Sequence, residues 1–169
     1  LSKDRQKGID RSREDAIAIL KASWDASAYT SKKQEDEYWA KALGLLDNYF
    51  AWESANRNTV VEVERRFSFP FGDHPMRGKI DRLERRPDGR LVVVDFKTGS
   101  TSSAPSRNSV REEIQLNLYA LAIFEEFGEL PAEAAYLYLK ETKYIPYAPP
   151  PETVTTFRSR LDEMIGNVL

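Results

Sequence analysis

Residues 91–100 read LVVVDFKTGS. Four apolar residues, Leu91 to Val94, run directly into Asp95, Phe96 and Lys97, and the pair Thr98-Gly99 closes the stretch. A short apolar run rich in valine is a buried strand, and successive strand side chains point to opposite faces. Asp95 and Lys97 therefore share one face, while Phe96 turns the other way toward the core. The one-residue gap presents an acid and a base together at the end of a buried strand.

Immediately upstream, Pro87-Asp88-Gly89 has the composition of a three-residue hairpin loop, with glycine at the left-handed position. That loop sets Arg86 opposite Arg90 and, counting back, Asp81 opposite Asp95. Two carboxylates facing each other repel, so they need a reason to be there. A hard divalent cation supplies one: magnesium prefers oxygen ligands and keeps several waters, so two carboxylates and a backbone carbonyl make an adequate half-site. Such a cation polarises a phosphoryl oxygen and acidifies a bound water, and a neighbouring lysine can orient that water or stabilise the developing charge. This is the equipment of phosphodiester hydrolysis. Taken alone, Asp-x-Lys is common and more often an ordinary surface pair at a strand end; the Gly78–Arg82 strand, the Lys-Thr-Gly turn and a following helix with Gln115 and Tyr119 favour the site.

Outward from this centre the periodicity alternates between helix and strand. Residues 12–29 place Ala16, Ile17, Ile19, Leu20, Trp24 and Ala28 at helical spacings, and a second helix is expected from Gln34 to Ser54, its aromatic stripe (Tyr38, Trp39, Tyr49, Phe50) read as core. From Thr59 the period becomes two: TVVEVERRFSF alternates Val61 and Val63 with Glu62 and Glu64. Turns at PFGDHP and PDG then predict three antiparallel strands. TSSAPSRN (101–108) reads as a loop, and Val110 to Phe127 as a helix with Ile114, Leu118, Leu121 and Ala122 on its apolar side and Gly128 as its stop. AAYLYLK is a strand, YAPPPE a stiff connector, and Glu152 to Val168 a last helix. The expected organisation is a helical lead-in at 1–56, a catalytic core at 57–148 and a C-terminal helix at 149–169, all one domain.

The 169-residue chain, 41% hydrophobic and 31% charged, has a formal charge of −2. That balance is globular, without a membrane-spanning run or a uniformly basic surface. The charge is uneven, however: residues 57–97 carry ten Lys or Arg against seven Asp or Glu, and residues 98–169 carry six against ten. An anionic partner belongs at the basic middle. With no cysteine and one histidine, a disulfide, an iron–sulfur cluster and a zinc site are excluded or improbable, so a metal must be held by oxygen. The start at Leu1, without methionine, is read as the edge of a piece of a larger protein.

GKIDR (78–82), VVVDFKTG (92–99) and QLNLYA (115–120), in that order and at that spacing, resemble motifs of the RecB-family branch of the PD-(D/E)XK nucleases over residues 59–140. The resemblance implies an α/β (α+β) restriction-endonuclease-like fold, a central mixed sheet with an αβββαβ core flanked by helices, hydrolysing DNA with magnesium or manganese. On it, Asp81 and Asp95 match the metal-binding aspartates, Lys97 the catalytic lysine and the Phe96 carbonyl a backbone metal ligand. Gln115 and Tyr119 match a helix motif that lies over the active site and positions the DNA strand; a surface amide and a core tyrosine are the plainer reading of that pair. Lys79, Arg82 and Thr98 are the further expected DNA contacts.

The lead-in ending in Tyr49, Phe50 and Trp52, followed by VEVERRFSFPFG (61–72), further resembles the C-terminal nuclease domain of AdnB-like helicase-nucleases of actinobacteria. This implies an upstream UvrD-like motor feeding single strands, a second AdnA-like subunit, and a role in DNA end resection and recombinational repair in the bacterial cytoplasm (nucleoid). The chain has no Gly-Lys-Thr phosphate loop, so no nucleotide is expected here. Two features depart from the pattern. The early helices lack the histidine that usually joins the metal site, His74 lying in a turn where an exposed loop residue is the better reading, and the cysteines that hold an iron–sulfur cluster in some relatives are absent. Glu64 either adds a ligand or pairs with Arg65 or Arg66. Two rival functions stay open: a catalytically inactive nuclease-fold module serving as a DNA clamp or assembly surface, and a phosphoesterase of small nucleotides.

Overall fold

In a computed structural model, which describes residues 1–106 and 108–166, five strands form one sheet in the order β1-β2-β3-β4-β5. They are β1 (Thr59–Phe71), β2 (His74–Arg85), β3 (Leu91–Lys97), β4 (Glu133–Tyr138) and β5 (Lys143–Tyr147). The helices are α1 (Ser2–Gln6), α2 (Arg13–Ala22), α3 (Lys32–Ala55), α4 (Ile114–Phe127) and α5 (Thr153–Gly166). β1, β2 and β3 pair antiparallel through two hairpins; α4 then carries the chain over so that β4 runs parallel to β3, and β5 returns antiparallel. The mixed sheet flanked by helices is the architecture expected.

Local chemistry accounts for the boundaries. Ser12 caps α2 in a reciprocal capping box with Asp15, and Ser31 caps α3 through the Gln34 amide. At the β2–β3 loop Gly89 takes φ 87, the Gly89 amide bonds the Arg86 carbonyl at 2.9 Å, and Arg86 N–H bonds the Arg90 carbonyl at 2.9 Å. The expected register follows, with Arg82 opposite Val94 and Arg85 opposite Leu91. Gly128 at φ 76 ends α4 as expected.

Several boundaries differ from the sequence reading. α2 stops at Ala22, and only a single 3-10 turn, Ala26–Ala28, continues it. Val110–Glu112 is likewise a 3-10 turn, so α4 starts at Ile114, which is 40% exposed; of the expected apolar side Leu121 and Ala122 are buried, and Leu116, Ala120 and Ile123 join them. β5 is a strand to which the sequence reading assigns no element; only its last residue, Tyr147, falls in the expected YAPPPE connector, and Pro146 within it cannot donate to a ladder. It is an edge strand paired only to β4, where one side needs no donor. A bulge between Val60 and Glu62 shifts the alternation of β1, burying Val60, Phe67, Phe69 and Phe71 while Val61 and Val63 stay half-buried. The expected end of the last helix at Val168 lies outside the described residues, as does Arg107 of the loop.

The sheet buries both faces. Leu91 and Val93 join Leu116, Tyr119 and Ile123 of α4 and Phe157 and Leu161 of α5 in the larger core; Val92 and Val94 face α3, where Trp52 and Phe96 pack edge to face at 5.8 Å. Across β1 and β2 this alternation is interrupted. Val63 pairs Arg82 and Arg65 pairs Ile80, but Glu64, at φ 53, and Asp81 drop out of the ladder between them. Ile80 joins the α4-side core, whereas Arg82, two residues on, packs against α3.

Arg82 is completely buried. Its guanidinium donates to Glu53 of α3 at 2.6 and 3.0 Å and to the Tyr49 hydroxyl at 3.2 Å, and stacks over Trp52 with 5.1 Å to the ring centroid. Its Nε lies 2.7 Å from Glu84, a close ion contact without hydrogen-bond geometry, while Asn56 and Asn58 each donate to Glu84 at 2.8 Å. Burial pushes the Glu53 carboxyl up, but Arg82 and Arg5 outweigh it and hold it below its ordinary value. The network anchors the helical lead-in to the sheet.

Removing one partner of a buried ion pair strands the other. Arg82→Met should therefore lower unfolding stability by about 3–5 kcal/mol, read by urea denaturation. At Gly78 a Cβ would meet the Phe67 ring at 2.3 Å. Gly78→Ala should cost about 1–3 kcal/mol through overpacking, visible as a Tm decrease of several degrees.

Candidate active site

The ladder between β2 and β3 ends at Arg82–Val94. Beyond it the Phe96 N–H, which would next bond β2, donates instead to the Asp81 carboxylate at 3.0 Å. The parity of the ladder also turns the Phe96 carbonyl toward β2. Asp81 is thereby held beside the carboxyl end of β3, where Asp95 and Lys97 lie on the α4 side and Phe96 packs against Tyr49 and Trp52 on the other.

Asp95 is 3% exposed. One of its oxygens, Oδ1, accepts from the Tyr119 hydroxyl at 2.9 Å and from Gln115 Nε2 at 3.0 Å. The other, Oδ2, is buried and has no hydrogen-bond partner; Lys97 Nζ lies 2.7 Å away as an ion contact, but outside hydrogen-bond geometry. Gln115 Oε1 accepts from Lys97 Nζ at 2.8 Å, so the amide bridges acid and base. Lys97 also sits over the Tyr136 ring at 4.8 Å. Gln115 and Tyr119 are thus not a surface amide and an uninvolved core tyrosine: one helical turn apart on α4, both bond Asp95.

Electrostatics reinforce the arrangement. Burial raises the Asp81 carboxyl above its ordinary value; the Phe96 amide pulls it down, the Asp95 charge pushes it up further, and the net shift is upward. Burial, and then the Asp95 charge, raise the Tyr119 hydroxyl strongly, so it remains a protonated donor at neutral pH.

The other expected residues divide. Lys79 has a half-exposed side chain 3.5 Å from Glu64, and its backbone carbonyl accepts from Tyr119 at 3.2 Å. Thr98 follows Lys97 directly and lines a neighbouring cleft. Arg82 corrects the sequence reading: strand position puts its side chain on the α3 side, sealed by Glu53 and Glu84, where no DNA phosphate reaches it. Glu64 pairs with Lys3 and Lys79, not with Arg65 or Arg66; Arg65 is paired with Glu62 and Glu126. His74 is exposed at the far end of β2. Tyr136, which sequence reasoning passed over as a strand residue, supplies the ring beneath Lys97; its place in β4 opposite Asp95 is the signal that the parallel register alone reveals.

The donor set fits a hard cation. Asp95 Oδ2 is a buried acceptor with no hydrogen bond, Asp81 sits beside it, and the Phe96 carbonyl adds a third oxygen, the chemistry magnesium or manganese takes. Among the described residues no group of three His, Cys, Asp or Glu side chains comes together, so the chain would supply a half-site completed by water.

A family model described as the PD-(D/E)XK nuclease superfamily matches residues 2–169. No curated protein matches the chain. Among solved structures, the crystal structure of SSO0001 is 18% identical, with a TM-score of 0.42, over 79% of this chain and 68% of that one. At that distance the likeness adds nothing to the family match. Among the described residues no helix is long and apolar enough to cross a membrane.

A carboxyl raised in the fold holds its proton more tightly there than in the unfolded chain. Its contribution is favourable in acid and is lost as pH rises through the folded value. Metal-free Asp81→Asn protein should accordingly melt no lower than wild type at pH 7, with any advantage vanishing toward pH 4. Magnesium should raise the Tm of wild type and leave that of the variant unmoved, and the metal affinity of wild type should fall as acid protonates Asp81. Thermal shift assays with EDTA or magnesium read all three.

Proposed function

Because the chain belongs to the PD-(D/E)XK nuclease superfamily, we propose that it is a metal-dependent nuclease that hydrolyses DNA phosphodiesters. The observation that carries this reading is the convergence of Asp81, Asp95 and Lys97 at one strand end, with a buried Asp95 oxygen lacking any hydrogen bond. Asp81, Asp95 and the Phe96 carbonyl would hold the cation. When bound, magnesium or manganese would polarise the scissile phosphate and ease deprotonation of the attacking water.

The chain's own groups do the positioning. Tyr119 and Gln115 fix one oxygen of Asp95 and leave the other facing the site. Gln115 also holds Lys97, so the ammonium is aimed before substrate arrives and needs little reorganisation to stabilise charge growing on the phosphate. Lys79 and Thr98 would meet backbone phosphates of the bound strand, contacts that are sequence-independent and weaken with salt. Motif order further supports exonuclease-type action within an ATP-dependent helicase-nuclease of bacterial end resection and repair, with the motor and an AdnA-like partner outside this chain.

Asp81→Ala, Asp95→Ala and Lys97→Ala should each lower magnesium-dependent cleavage of a labelled oligonucleotide by at least about 100-fold, with DNA affinity within a few-fold of wild type. Undiminished cleavage by both aspartate variants removes the site assignment. DNA binding by a wild-type protein that cleaves neither DNA nor a mononucleotide diester in magnesium or manganese favours the inactive clamp instead.

A further inference from the structure

Beyond Lys97 the chain turns away from the carboxylates and forms the rim of a second feature, a cleft of about 640 Å³ between the Thr98–Ser100 turn and α3. Its wall is aromatic. Trp24 and Tyr29 stack at 5.4 Å with their planes 19° apart, and Tyr38 lies 5.4 Å beyond Tyr29. Trp24 and Tyr38 are not the core residues their periodicity suggests: Tyr38 is 48% exposed and Trp24, like Tyr29, is only partly covered.

The wall is also held in place. The Trp24 indole donates to Glu35 at 3.2 Å and its ring meets Trp39 edge-on at 4.8 Å. Asn48 of α3 donates to the Leu139 and Lys140 carbonyls at 2.8 and 3.0 Å, securing the opposite bank. Lys41 and Lys140 are the charges among the described lining residues, and none of those residues is acidic. Lys41 Nζ already rests over the Tyr38 ring at 4.6 Å.

A fixed row of half-exposed rings edged by cations, opening one residue past a phosphodiester-cutting lysine, fits one chemistry. We propose that the cleft is a base-stacking channel for single-stranded DNA, continuous with the catalytic site through Thr98, Gly99 and Ser100; this rests on the nuclease reading above. Unpaired bases lay their faces on the rings while the lysines meet the phosphates, an arrangement indifferent to sequence because every base has a π-face. Duplex DNA has no free base face to offer. With Lys41 and Lys140 as the charges among the described lining residues, the rim complements a polyanion.

The test measures affinity in EDTA, where cleavage is suppressed, by fluorescence anisotropy of labelled dT12 and of a 12-mer of abasic units. Both probes carry the phosphates; only one carries bases. Wild type should bind dT12 at least about fivefold more tightly, given the usual worth of one base–aromatic stack. Tyr38→Ala and Trp24→Ala should each erase most of that preference, and Tyr38→Phe should keep it. Asp95→Asn should retain the preference while losing cleavage in magnesium.

Equal affinity of wild type for the two probes, a preference that survives Tyr38→Ala, or equally tight binding of the dT12·dA12 duplex overturns the channel. So does self-association of the chain that Tyr38→Ala abolishes, which would assign the rings to a contact between copies. Cleavage without base preference sinks the channel alone. Base preference without cleavage of any DNA sinks the nuclease reading alone.

Discussion

One hydrogen bond organises the site: the Phe96 amide bound by the Asp81 carboxylate at 3.0 Å. In an uninterrupted sheet that amide would bond a carbonyl of β2 and the strands would run on side by side. Here a side chain substitutes for the backbone. The substitution satisfies a donor that burial would otherwise penalise, ends the ladder at Arg82–Val94, and brings one carboxylate toward another. The energetic cost is visible in the raised carboxyl of Asp81. Burial is the first cause of that rise and the Asp95 charge adds to it, while Lys97, 2.7 Å from Asp95, offsets part of the negative charge.

The same strand serves two purposes on its two faces. Asp81 takes the Phe96 amide beside the end of β3, while Arg82 turns toward α3 and is sealed between Glu53 and Glu84. Buried ion pairs add little net stability over apolar packing, since desolvation offsets the attraction; what this one supplies is a directional joint between the lead-in helix and the sheet. Tyr49 and Trp52 of α3 also touch Phe96, so the residue whose amide binds Asp81 is packed by the helix that Arg82 holds. Scaffold and site are coupled through two adjacent residues of β2.

Helix α4 completes the site for a different reason. The crossover from β3 to parallel β4 lays α4 across the sheet face that carries Asp95. Gln115 and Tyr119, at i and i+4, then project together onto a single carboxylate. Gly78 belongs to the same construction: with no Cβ it lets the Phe67 ring lie over it, and that ring packs edge to face against Tyr119 at 6.2 Å.

Much of this was legible in the residues themselves. The apolar run ending in Asp-Phe-Lys, the Pro-Asp-Gly loop and two-residue alternation determined the β2–β3 hairpin and its register, because those signals are local and a turn of known length leaves one pairing; the expected Asp81–Asp95 pair falls one step beyond the end of the ladder, where Asp81 takes the Phe96 amide instead. The i, i+4 spacing of Gln115 and Tyr119 marked a pair without saying what it would touch. What only tertiary structure decided is which polar groups are covered and by what. Arg82 looks like any basic strand residue until α3 is laid against it; Tyr38 and Trp24 look like core until the helix packs elsewhere; Pro146 argues against a strand until the sheet edge is known. Burial and pairing between distant segments depend on the whole chain closing on itself, and no window of sequence contains that information.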